Sequence, residues 1–302
     1  MLLYNFSTKT NFFDEFDNCL FEYDFKYSDC FCGEGKYKII SLKTRTGQNF
    51  TTVSCKKCGT LRINPYLSDS SIDKYYKNLY GRVKRGDIAP QLLHNNQKQS
   101  SQRIYDFLKN NINSNFKILD FGGGAGGKTI KFLENKYNCF ISDSDKKYQD
   151  YAISLGFNEF NPNEKYELIT LIHVLEHITN PNSFLLYLKK ILNTNGLLYI
   201  EIPYLGGKDY NFSIIDEIHI AHKWYFTKFS LIYLMLKNGF EIVKENDEFG
   251  GILFRISNHK IDDLNIDSLL IKAKNSTRKA IFVALLVKLK RIILKKIIKL
   301  KK

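Results

Sequence analysis

Asp120 opens the run DFGGGAGG, in which Gly122, Gly123, Gly124, Gly126 and Gly127 follow one another closely. Glycines between a strand and a helix let a ligand approach the backbone with no Cβ in the way. Gly122, Gly124 and Gly127 satisfy the dinucleotide pattern GxGxxG, while Asp120 with Gly122, Gly124 and Gly126 satisfies DxGxGxG. The carboxylate decides between them. An acid two residues before the first glycine opposes a pyrophosphate at the helix N-terminus and favours a cationic sulfonium carrying an α-amino group. Asp143 ends the segment NCFISD, 21 positions after Gly122. That is near the spacing of about 20 at which an acid reads ribose hydroxyls, although a strand-end Asp also serves as a helix cap.

His173-Val-Leu-Glu176-His177 matches HxxEH, a zinc-peptidase pattern when it lies on a helix. Here it follows directly on a buried apolar strand, at the edge where open α/β sheets bind ligands, so a metallopeptidase is disfavoured. The histidines read either as acid–base groups beside a ligand or as strand-end residues that satisfy backbone groups. Cys30, Cys32, Cys55 and Cys58 form two close pairs. Four thiolates leave a tetrahedral ion no open position, so the metal they imply is a structural zinc. The first pair is CxC, and either Cys30 or Asp29 completes the set. The start MLLYNFSTKTNFFDEFD has acids where a secretion signal needs a basic region and an apolar core, which predicts a cytoplasmic protein with reduced thiols.

The elements that must carry these groups are legible from about Phe116 onward. KILDF, the glycine turn, TIKFLENKY, NCFISD and KKYQDYAISLGF alternate strand and helix, and YELITLIHV, PNSFLLYLKKIL and GLLYIEIP continue the pattern. Unbroken apolar strands separated by amphipathic helices require a parallel sheet covered on both faces. FEIVKEN and GILFRIS follow a helix closed at Gly239 and lie close enough to pair as an antiparallel edge hairpin.

Taken in order, ILDFGGGAGG, Asp143 and YELITLIHVLEHITNP resemble the motifs of class I S-adenosylmethionine-dependent methyltransferases. The chain is similar to a branch acting in glycan and nucleotide-sugar pathways. Some members of that branch carry an N-terminal zinc ribbon ending in CGxxxxNP, matched here by Cys58-Gly-Thr-Leu-Arg-Ile-Asn64-Pro65. The resemblance covers about residues 30–66 and 113–258. It implies an α/β fold: a doubly wound, mostly parallel seven-stranded sheet with an antiparallel edge hairpin, a zinc ribbon before it and an amphipathic helix after it. The expected boundaries are a lead-in at 1–29, ribbon 30–66, helical linker 67–112, methyltransferase domain 113–258 and basic tail 259–302.

The resemblance further implies S-adenosylmethionine as methyl donor, held by Asp120, Gly122, Gly124, Gly126 and Asp143. The implied acceptor is a saccharide or sugar nucleotide, free or lipid-linked. A sugar hydroxyl is a weak nucleophile at neutral pH, and a histidine base suits its activation. His173 and His177 follow the fourth strand; His222 lies in DEIHIAHKWYFT, a segment that covers the substrate in the resembling enzymes. Tyr204, His219, Trp224 and Tyr225 are candidate acceptor contacts or core aromatics. The stretch between Asp143 and Tyr166 is shorter than is usual there, which leaves the adenine contacts unassigned. The competing readings are a catalytically silent α/β platform, a non-sugar acceptor and a nicotinamide enzyme.

Composition agrees with a folded protein: 302 residues, 44% hydrophobic and 25% charged, suffice for one full-sized core and a small accessory domain. The net charge of +14 is local. Residues 272–302 hold 12 Lys or Arg and no acid, leaving 33 basic against 31 acidic residues elsewhere. A nucleic-acid-binding face on the globular part is therefore poorly supported. No uncharged apolar window of about 18 residues predicts a membrane span. In the tail, Phe282, Leu286, Leu289, Ile293, Ile297 and Leu300 form one helical stripe, with Lys288, Arg291, Lys295, Lys299 and Lys302 opposite. Residues 281–302 thus read as an interfacial helix for the anionic inner face of a membrane. A second stripe, Val287, Leu294 and Ile298, allows packing on protein instead, and nucleic acid is the third reading.

Overall fold

The computed structural model describes residues 23–44, 49–75, 88–205, 218–246, 250–257 and 263–300; residues 1–22, nearly all of the expected lead-in, lie outside them. The chain divides into two compact units. One comprises residues 88–203 and 234–262; the other comprises 1–87, 204–233 and 263–302.

The first unit is a seven-stranded sheet. Parallel strands β8 (Asn158–Glu159), β7 (Asn138–Ser142), β6 (Lys117–Phe121), β9 (Tyr166–Ile172) and β10 (Leu192–Glu201) run side by side in that order. The antiparallel strands β13 (Gly251–Ile256) and β12 (Phe240–Glu245) complete it at one edge. Both faces are covered. Ile118, Leu168, Tyr199 and Leu253 join a core with Ile104, Phe107 and Leu108 of helix α3 (Ser101–Leu108) and Phe132 of α4 (Ile130–Glu134). Alternate residues point the other way, and there Phe121 packs edge-on against Phe184 of α6 (Pro181–Ile191), ring centroids 5.3 Å apart. Two-sided burial is why β6, β9 and β10 read as continuous apolar runs.

The second unit is built on a four-stranded antiparallel sheet in the order β11 (Trp224–Tyr225), β4 (Leu61–Ile63), β3 (Thr52–Cys55), β2 (Tyr37–Ser41). Its core gathers Phe50, Leu61, Ile63 and Tyr225 with Ala280 and Ala284 of the last helix, α8 (Asp263–Leu300). The ribbon is therefore not the contiguous block 30–66: Trp224 and Tyr225 pair with Arg62 and Leu61 and supply its fourth strand. Nor do residues 88–112 link two domains. Ile104, Phe107 and Leu108 are buried in the sheet core, so helices α2 (Pro90–Lys98) and α3 belong to the α/β unit.

Helix α8 buries residues that neither predicted stripe contains. Leu270, Ala273, Thr277, Ala280 and Ala284, spaced by three and four residues, are its buried stripe. Phe282, Leu286, Leu289 and Ile293 are exposed. The side chains of Lys288, Arg291, Leu294, Lys295, Ile297, Ile298, Lys299 and Leu300, and all of Lys302, lie outside the described residues.

Candidate active site

The bend after β6 is tied to the end of β7. The Gly122 and Gly123 amides both donate to the Ser142 carbonyl, at 2.7 and 3.2 Å. Gly124, whose φ of +58° favours glycine, donates its N–H to Asp143 Oδ2 at 2.7 Å. Asp143 Oδ1 accepts from the Asp145 amide at 2.9 Å. Helix α2 covers the bend: the His94 ring is 2.9 Å from the Ala125 carbonyl, and a Cβ on Gly127 would come within 2.3 Å of the His94 carbonyl oxygen. Only glycine permits that approach.

Asp120 lies at the base of the bend and is buried. It accepts hydrogen bonds from Thr129 and Thr170, each at 2.7 Å. Burial pushes its carboxyl above the ordinary range, and the two hydroxyls work against that rise. Its role in this geometry is to fasten the residue before α4 to the strand beside it. Asp143 is the carboxylate next to the backbone cradle.

At the ends of β9 and β10 stands a cluster of charges. His173 holds φ +60°, an uncommon conformation for a residue with a side chain, and its amide donates to the Glu201 carbonyl at 2.8 Å. Its ring, about half exposed, lies between two buried carboxylates, Nδ1 at 3.6 Å from Glu176 Oε1 and Nε2 at 3.8 Å from Glu201 Oε1. Glu201 is gripped by both terminal nitrogens of Arg103, at 2.9 and 2.7 Å, and by the Tyr199 hydroxyl at 2.8 Å. Burial disfavours the charge on Glu201, yet Arg103 and Tyr199 outweigh it and hold the carboxyl below its usual range. Glu176 is also lowered: burial opposes its charge, but the neighbouring His173 and His177 prevail. Burial pushes Lys128 down to about 8, against the pull of Glu201, Asp120 and Glu176. Val174 sits against the glycine bend, its Cγ2 2.6 Å from where a Gly122 Cβ would stand. The cluster and the bend therefore meet.

The HxxEH stretch is not helical as a unit. After the left-handed His173 only Leu175–His177 form a single 3-10 turn, so the two histidines do not share a helix face as a zinc-peptidase pair would. His177 Nε2 lies 3.9 Å from Glu176 Oε1.

Of the remaining sequence candidates, Tyr204, His219, His222, Trp224 and Tyr225 belong to the ribbon unit. His219 and His222 stack with centroids 3.8 Å apart, and the Tyr225 hydroxyl bonds both the amide and the carbonyl of His219. Trp224 is buried against Phe31, centroids 5.4 Å apart. Tyr204 is also buried.

Sequence reasoning missed Arg103, Glu201, Glu176 and Lys128 as site residues. The available signal was Glu201 itself: a carboxylate inside the apolar run GLLYIEIP must find a cation.

S-adenosylmethionine fits this cradle. The Asp143 carboxylate beside the bend is the acceptor type that ribose hydroxyls require. On α2, Gln97 places its Nε2 3.1 Å from the position of a Gly124 Cβ, and its Oε1 is buried with no hydrogen-bond partner among the described residues. A buried acceptor beside the bend matches an ammonium donor.

In the ribbon unit the sulfurs of Cys30, Cys32, Cys55 and Cys58 all lie within 4.8 Å of one another, with Cys30–Cys58 at 3.4 Å and Cys32–Cys55 at 3.5 Å. A tetrahedral ion with bonds of about 2.3 Å needs sulfurs about 3.8 Å apart, so these four thiols fit zinc. The hydrogen bonds of Cys32, Cys55 and Cys58 push the Cys30 thiol up, and that of Cys30 pulls Cys55 down. A divalent cation would let all four ionise.

The sequence profile of the methyltransferase domain family matches residues 92–245, just over half of the chain. The ubiquinone biosynthesis O-methyltransferase of Rickettsia bellii is 24% identical over 200 residues, 57% of this chain and 82% of that one. Among solved structures, magnesium protoporphyrin IX methyltransferase of Synechocystis PCC 6803 with bound SAH covers 63% of this chain and all of its own, with a TM-score of 0.46 and 13% identity. The mitomycin 7-O-methyltransferase MmcR gives a TM-score of 0.49 at 7% identity and covers 63% of this chain; less than two thirds of that enzyme, 62%, is spanned. The chain belongs to the methyltransferase domain family, as an S-adenosylmethionine-dependent methyltransferase.

Proposed function

We propose that the protein methylates a hydroxyl of a saccharide or sugar nucleotide, with His173 as the base that takes the hydroxyl proton. When bound, S-adenosylmethionine supplies a methyl group on an electrophilic sulfonium. The observation that carries the reading is the setting of His173. It is held in a left-handed conformation at a strand end, half exposed, with its two ring nitrogens facing two buried carboxylates and its edge open to an acceptor. Glu201 and Glu176 flank the ring, and Arg103 fixes Glu201. Asp143 and the Gly122–Gly124 backbone hold the nucleoside, while Asp120 keeps the bend in shape from beneath. Alignment of the hydroxyl with the methyl group supplies the rest of the acceleration.

Transfer to oxygen is supported by the R. bellii relative, itself named an O-methyltransferase. The saccharide rests on the resemblance of the ribbon and fourth-strand motifs. His177 belongs to the same proposal, as does structural zinc on Cys30, Cys32, Cys55 and Cys58. A lipid-linked saccharide at the inner face of a membrane would also give the basic C-terminal helix a role.

The test is formation of S-adenosylhomocysteine by the full chain with a panel of sugar nucleotides, lipid-linked sugars, phenols, RNA and proteins. A glycan acceptor should be methylated, and His173→Gln should lower kcat about a hundredfold or more while leaving cofactor affinity intact. Failure of every glycan alongside success with a phenol, protein or RNA would refute the saccharide. Full activity of His173→Gln would remove the base.

A further inference from the structure

Helix α8 has two faces with different fates. Its buried stripe is Leu270, Ala273, Thr277, Ala280 and Ala284, of which Ala280 and Ala284 join the core of the ribbon unit, and the approach is close. A Cβ on Gly59 would stand 2.8 Å from the Lys274 Cα, so the helix backbone lies directly on the second cysteine turn. At 100° per residue, Phe282, Leu286, Leu289 and Ile293 fall within an arc of about 60°, centred roughly opposite that stripe. These four are between 49% and 61% exposed. The solvent face of a docked helix is ordinarily polar. Here the face that the fold leaves open is the apolar one.

We infer that this open face of α8 is a docking surface for an anionic lipid bilayer, with Phe282, Leu286, Leu289 and Ile293 sunk among the headgroups and the basic side chains on lipid phosphates. Charge selects the occupant. Residues 272–302 carry 12 Lys or Arg and no acid, and Lys279 and Lys290 are exposed beside the stripe. A second copy of residues 272–302 would bring like charge against like charge with no carboxylate in that stretch to pair, which disfavours a dimer on this face. A bilayer rich in anionic lipid takes the same apolar stripe and neutralises the cations. Among the described residues no helix is long and apolar enough to cross a membrane, so α8 would lie along the surface. The inference stands whichever acceptor the enzyme uses.

The experiment is sedimentation of the full chain with vesicles of phosphatidylcholine alone and of phosphatidylcholine mixed with phosphatidylglycerol. The wild type should pellet with the mixed vesicles, stay in solution with phosphatidylcholine alone, and release as salt rises. The double variant Leu286→Ser/Leu289→Ser changes only exposed side chains, so its thermal melt and S-adenosylmethionine affinity should match the wild type. Its vesicle partition should fall about a hundredfold. Lys279→Glu/Lys290→Glu should weaken partition to mixed vesicles and flatten its salt dependence. Three results would overturn the inference: no pelleting of the wild type with anionic vesicles, pelleting unchanged in the leucine variant, or a dimer in sedimentation velocity that the leucine variant disperses. RNA binding as strong as vesicle binding and indifferent to the leucines would also overturn it.

Discussion

Removing Arg103 should harm the protein more than removing Glu201, although both changes break the same ion pair. The reason is what each leaves behind. The Arg103 side chain is 37% exposed and that of Glu201 only 4%. Arg103→Met strands a buried carboxylate that keeps the Tyr199 hydroxyl, with His173 and Lys128 as more distant partners. Breaking a buried pair costs about 3–5 kcal/mol, and the surviving hydroxyl points to the lower end, about 3 kcal/mol. Glu201→Gln leaves a guanidinium that water can reach and a carbonyl that still accepts one of its N–H groups, so about 1 kcal/mol is expected. The double variant Arg103→Met/Glu201→Gln should recover about 1–2 kcal/mol relative to Arg103→Met, the signature of coupling. Urea unfolding at pH 7 reads all four proteins. The pH dependence gives a second check. In the wild type Glu201 lies below its ordinary range, so its contribution is present above about pH 4.5 and fades as pH falls through the folded value. In Arg103→Met burial prevails and the carboxyl rises; protonation then relieves it, and the deficit should shrink below about pH 5. Equal losses in the two single variants, or a deficit that stays constant with pH, would refute the asymmetry and the account of the cluster built on it.

Three further outcomes follow from the same geometry. Gly127→Ala would drive a methyl group to 2.3 Å from the His94 carbonyl oxygen; displacing α2 should cost about 2 kcal/mol in urea unfolding and lower S-adenosylmethionine affinity at least about tenfold by calorimetry. Gln97→Leu removes the buried unpartnered acceptor over the bend and should weaken S-adenosylhomocysteine binding about tenfold, yet leave 5′-methylthioadenosine, which lacks the amino-acid end, unaffected. Elemental analysis should find about one zinc per chain, and Cys58→Ser should lose the metal and melt at lower temperature.

The α/β unit was legible because its signals are local. A glycine bend after KILDF, an acid at the end of NCFISD and apolar runs separated by amphipathic helices each sit within one segment, and the sheet places them as their order implies. What escaped the sequence depends on partners far apart in the chain. Arg103 and Glu201 are 98 positions apart, and nothing near either residue announces the other. Trp224 and Tyr225 read as loop aromatics because the strand they complete, Leu61–Ile63, lies more than 160 residues earlier. The tail was legible in part. Its large apolar residues Phe282, Leu286, Leu289 and Ile293 mark an outward stripe and are exposed. The buried face, which includes Ala273, Ala280 and Ala284, is made mostly of side chains too small to stand out on a helical wheel. Asp120 was readable as a carboxylate beside the bend; that its oxygens turn to Thr129 and Thr170 follows from the pairing of β6 with β9.

Isothermal titration of the full chain with S-adenosylmethionine bears most directly on the bend. One molecule should bind per chain, with Asp143→Ala weakening the affinity about tenfold or more and NADH giving no heat. No heat from S-adenosylmethionine at millimolar concentration, or saturable binding of NADH in its place, would contradict the assignment of Asp143 and the glycine backbone to a sulfonium nucleoside.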